Sequence, residues 1–83
     1  MPLSPDDEIQ NRAEFAACVD DLRINLQDQR DRWNNATLES FLEALSAWVD
    51  ASDGWYQNRG KELPRNGDWT FFARALTAAA VYE

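Results

Sequence analysis

The sequence predicts an all-α fold, a compact three-helix domain packed around a long central helix with a long loop before the last. Three observations carry this expectation. Apolar residues recur at three-and-four spacing in three separate stretches. A residue suited to capping stands ahead of each stretch. The polar runs between them carry turn-forming residues.

The first helix is expected from near Asn11. Asn11 and Glu14 have the spacing of a capping box, directly ahead of the apolar run Phe15–Val19. Phe15, Cys18, Val19, Leu22 and Leu26 then form its inward stripe. An earlier start at Ser4, with Pro5, Asp6 and Asp7 in the first turn, competes with it. Residues 1–10 are therefore read as an extra turn or a disordered lead. The following polar run, Gln27–Asn35, is the first connection, and its Trp33 is expected to fold back onto the core as a lid.

The central helix is the element the rest is expected to cover. It begins after Asn35 or Thr37 and carries Leu38, Phe41, Leu42, Leu45, Trp48 and Val49 along one side, with Ser52 at a gap and Trp55 and Tyr56 continuing the stripe. The register places its end near Asn58, with Gly60 as the stop. Gly54 lies inside that span and marks a close helix crossing or a kink. The stretch Gln57–Gly67 is the long loop. Asp68 then caps the last helix, which has one apolar face of Trp69, Phe72, Ala73, Leu76 and Ala80 and a neighbouring one of Phe71, Ala75, Ala78 and Tyr82. So wide an apolar arc implies the most buried helix of the three, or one partly buried by a second subunit.

Composition narrows the function. The chain of 83 residues is expected to be one domain spanning residues 1–83, and four Trp, four Phe and two Tyr can build a core without disulfides. Cys18 is the sole cysteine and, within an apolar run, reads as a small buried hydrophobe. A net charge of −7 argues against nucleic acid and anionic membrane as partners and favours a basic protein. MPLSPDD has neither the basic nor the apolar region of a signal peptide, so a cytoplasmic protein is expected.

No histidine is present, which removes the commonest general base and metal ligand. No catalytic residue, metal site or cofactor is assigned, and a non-enzymatic role is expected. Asp20 with Asp21, Glu39 with Glu43, and Asp50 with Asp53 could each share a proton or an ion. The plainer reading is a set of solvated acidic faces.

A second candidate surface combines Trp55, Tyr56, Arg59, Lys61, Arg65 and Trp69, residue types that dominate interface hot spots. Against it stands a reading in which the aromatics close the core and the cations stack on them or remain in water. As an interaction module, the protein would use Asp20, Asp21, Glu39, Glu43, Asp50 and Asp53 to steer a basic partner, and Trp55 and Tyr56 as anchors. The alternative is a homo-oligomeric scaffold that pairs through Phe71, Ala75, Ala78 and Tyr82 of the last helix.

The segments FLEALSAWVDASDGWYQNRG from Phe41 to Gly60 and DWTFFARALTAAAVYE from Asp68 to Glu83 resemble an uncharacterised family of short bacterial domains of unknown function. The likeness lies in the FLEAL and Trp run, the DGWY patch followed by a basic residue and Gly, the proline loop and the terminal YE. It implies a compact helical domain and assigns no activity. In size and acidity the chain is also similar to the helical immunity proteins that neutralise bacterial nuclease toxins, without a shared motif.

Overall fold

The computed structural model describes residues 7–82, so the competing helix start at Ser4 and Pro5 lies outside the described residues. Among them are four α-helices: α1 (Arg12–Gln29), α2 (Leu38–Asp50), α3 (Ser52–Asn58) and α4 (Trp69–Ala79), with a short 3₁₀ turn at Arg30–Arg32. The all-α class is as the sequence predicts. The expected central helix is divided into α2 and α3.

Local chemistry sets each boundary. Asn11 caps α1 by accepting the Glu14 N–H at 2.9 Å, while the Glu14 carboxylate reaches back to the Gln10 N–H at 2.7 Å. Thr37, and not Asn35, caps α2 through the Ser40 N–H at 3.2 Å. Asp68 caps α4 through the Phe71 N–H at 2.7 Å. At the end of α3 the Lys61 N–H returns to the Tyr56 carbonyl and the Gly60 N–H to that of Gln57. This is a Schellman closure, and Gly60 supplies its left-handed residue at φ 64°.

The division of the central helix falls at Ala51 (φ −97°, ψ 6°) rather than at Gly54. The buried Ser52 hydroxyl donates to the Val49 carbonyl at 2.7 Å, the kind of local side-chain bond that bends helices. The bend has a consequence for packing. In a straight helix Tyr56 would lie five turns from Leu38, in line with Leu42, Leu45 and Val49. Bending instead turns Tyr56 into the core, where it is 3% exposed. Leu38, Leu42 and Val49, expected to point inward, are left 74%, 52% and 41% exposed.

The hub of the fold is α4, where the sequence pointed to the central helix. Both α1 and α2 pack on α4, and they make no packing contact with one another. Ala73, Ala79 and Ala80 are wholly buried, which lets the flanking backbones come close. Around this small-residue centre lie Trp48, Tyr56 and Ala75, with Leu45, Trp55, Phe71, Ala78 and Tyr82 packed against them. The second apolar face of the last helix thus turns to the core of its own chain, with Ala75 buried and Phe71, Ala78 and Tyr82 half-buried. Residues 7–10 are irregular but fastened: the Ile9 N–H donates to Thr70 Oγ1 at 2.8 Å and the Thr70 hydroxyl donates back to the Ile9 carbonyl.

The far end of α4 is closed from the first connection. Asn35 Nδ2 donates to the carbonyls of Ala79 and Tyr82 at 3.0 and 2.6 Å, its N–H to Ala80, and Asn34 Nδ2 to Val81. The carbonyls of a terminal helical turn, which have no partner inside the helix, are satisfied this way. Trp33 folds back as expected, stacked on Phe41 with ring centroids 6.1 Å apart and donating to Asn25 Oδ1 at 2.7 Å.

Two glycines should respond oppositely to alanine. A Cβ at Gly54 would meet nothing within 4 Å, so Gly54→Ala should stabilise the protein by about 0.4–1 kcal/mol. At Gly67 (φ 78°) a Cβ would lie 2.8 Å from Phe72 Cε1, and Gly67→Ala should destabilise by more than about 1 kcal/mol. Urea unfolding of both variants measures the two shifts.

Candidate interaction surface

The two surfaces read from the sequence fare differently in the fold. Tyr56 is a core residue and cannot serve as an exposed anchor. Trp55 is half-buried between cations: the Arg59 guanidinium lies 4.2 Å from its ring centroid and that of Arg74 lies 5.1 Å away. Arg59 therefore covers an aromatic of its own chain, as the plainer reading held. Lys61 and Trp69 border a polar cleft of about 480 Å³ with Glu8 and Thr70 on its walls and Tyr56 and Arg74 also lining it. Arg65 is exposed in the loop and does not line this cleft.

Arg74 is the residue that sequence reasoning missed. It is 8% exposed, donates through Nη1 to the Tyr56 hydroxyl at 3.1 Å and through Nη2 to the Asp7 carbonyl at 3.3 Å, and lies against both the Trp55 and Tyr56 rings. One side chain of α4 thereby ties down α3 and the segment ahead of α1. Its signal was a single cation inside the apolar run Phe71–Ala80. A charge there must find partners, because burying it without them costs several kcal/mol.

The acids are all exposed, but they form separate groups. Asp20 and Asp21 stand on α1, which has no packing contact with α2, and Asp20 accepts from Arg23 Nε at 2.9 Å in a surface pair worth about 0–1 kcal/mol. Glu39, Glu43 and Asp50 share one flank of α2, since residues four and eleven positions beyond the first of them return to nearly the same side. A shallow hollow lined by Glu43, Ser46, Ala47, Val49 and Asp50 lies along this flank. Asp53 follows past the bend, where its carboxylate accepts the Gly54 N–H at 2.9 Å. The acidic flank of α2 borders the exposed Leu38, Leu42 and Val49.

Among the described residues no three His, Cys, Asp or Glu side chains are grouped to hold a metal ion, and no helix is long and apolar enough to cross a membrane. Cys18 is buried, and burial pushes its thiol above the ordinary value of 9.0. The Asp21 carboxylate adds to the rise, while the neighbouring Thr77 hydroxyl lowers it.

Fold and surface together define a small acidic all-α domain with an apolar and acidic outer helix face. The chain belongs to the family of unknown function DUF7660, whose profile matches residues 11–83. No curated protein and no solved structure matches it.

The Arg74 contacts predict a graded loss of stability. Tyr56→Phe removes the Nη1 acceptor from a buried guanidinium that keeps its other partners and should cost about 1.5–3 kcal/mol, and Arg74→Ala should cost more because packing against both rings is lost as well. Denaturant midpoints followed by tryptophan fluorescence would show this order.

Cys18 predicts a pH dependence. Its folded-state pKa is raised, so its contribution is intact below the unfolded thiol value and fades as pH rises through and beyond it. The stability advantage of the native protein over Cys18→Ala should accordingly shrink between about pH 8 and about pH 10. Urea midpoints of both proteins at the two pH values measure it, and a constant difference would contradict the prediction.

Proposed function

We propose that this domain is a non-enzymatic protein-interaction module for a basic protein partner. Its most concrete form is an immunity-type inhibitor of a basic bacterial effector, acting in the cytoplasm. One observation carries the reading: the outer flank of α2 presents Glu39, Glu43 and Asp50, and no Lys or Arg occurs anywhere in that helix. Like charges gathered on one rigid face project a field that attracts a cationic surface, accelerates encounter and rejects acidic competitors. The overall charge of −7 has the same sign and extends that attraction. The lack of histidine supports a binding role over a catalytic one.

The test is association kinetics with a basic protein captured from the source cells at low salt. Glu39→Gln, Glu43→Gln, Asp50→Asn and Asp53→Asn combined should slow association by about tenfold or more at low ionic strength and flatten its salt dependence, with a smaller change in dissociation. Unchanged association with the combined variant would reject the reading.

A further inference from the structure

We propose that Leu38, Leu42, Leu45 and Val49 form the seat for one amphipathic helix of the partner protein, a helix whose polar flanks are basic. The inference rests on the interaction-module reading and specifies what the module takes. The four residues follow a four-three-four spacing, the period of a helix–helix seam. Three of them are exposed, and Leu45 is half-buried at the edge of the core. The strip runs for about 16 Å at 1.5 Å per residue. That suits the footprint of a single helix lying along α2, the mode in which an apolar strip receives anchors at every third and fourth position. A stable contact between two globular surfaces takes about 800 Å² from each partner, more than so narrow a strip supplies.

Charge selects the occupant. On one side of the strip lie Glu39, Glu43 and Asp50; on the other, Trp48 is buried against Phe71 of α4 and the half-buried Phe41 stacks on Trp33. A second copy laid antiparallel would set the acidic flank against its like. Laid parallel, it would bring those acids to the apolar side, where α2 carries no cation. Neither arrangement neutralises the carboxylates. A helix with leucine-type anchors and Lys or Arg on its flanks fills the strip and pairs with the acids at once.

The probe is a synthetic helical peptide with leucines at the seam positions and lysines on both flanks. One control has the same composition in scrambled order, and another keeps the leucines with glutamates in place of the lysines. With isotope-labelled protein, the basic amphipathic peptide should shift the backbone amides of residues 38–50 and bind about tenfold or more tighter than the scrambled peptide. Leu38→Ser combined with Leu42→Ser should remove that preference. Amide mapping on the unmodified protein keeps the test independent of how this variant folds.

Equal binding of the scrambled peptide overturns the seat but leaves the acidic-module reading in place, since the field then acts without the strip. Binding of the glutamate-flanked peptide as tightly as the lysine-flanked one overturns the assigned charge of the occupant. Concentration-dependent shifts of the same amides in the protein by itself overturn the proposal in favour of a second copy. If no basic peptide binds, the seat falls, while the interaction-module reading is decided separately by the association kinetics of the combined acid variant.

Discussion

The fold depends on a cation held inside its apolar hub. An alanine-lined helix such as α4 allows its neighbours to approach closely, yet alanines offer little area with which to hold them. Arg74 makes up the difference. Its guanidinium reaches the Tyr56 hydroxyl on α3 and the Asp7 carbonyl ahead of α1, and lies against two aromatic rings. A planar group with several fixed donors can serve such partners together, whereas the point charge of a lysine cannot. At the other end, Asn34 and Asn35 close the carbonyls of Ala79, Val81 and Tyr82. Polar contacts thus fix the middle and the C-terminal end of α4 to its neighbours, and apolar packing fills the space between.

What was legible in the sequence was local. Asn11 with Glu14, Asp68 and Gly60 each act within a few residues of themselves, so their spacing was sufficient to place the helix ends. Trp33 was legible because a large indole in a polar connection has few places to go besides the core. The bend at Ala51 was not. It is produced by a serine hydroxyl finding a carbonyl three residues back, a choice that periodicity does not record. The apolar stripe from Leu38 to Val49 reads as uniformly inward, and the structure buries Ala44 and Trp48, half-buries Phe41 and leaves Leu38 and Leu42 in water.

The candidate surface was half legible for the same reason. The acids of α2 were found because charge can be counted along a helix, and their common flank follows from helical geometry. The aromatic and basic patch stayed open between two readings because Tyr56 and Trp55 carry the chemistry of an interface and of a core equally well. Only tertiary contacts separate the two, and those contacts come from Arg74 and Phe71, distant in sequence.

Size explains why any apolar strip stays uncovered. The molecule is 19 Å across its shortest axis, about two helix diameters, so a helix that packs on α4 has nothing over its outer side. An exposed leucine row on a neutral protein would invite self-association. Here a copy laid antiparallel would meet the bordering carboxylates with its own, whereas under the proposed docking a basic helix would pair with them. On the docking proposed above, the same acids would both keep the strip open and select the helix that closes it, so discrimination would come from repulsion as much as from contact.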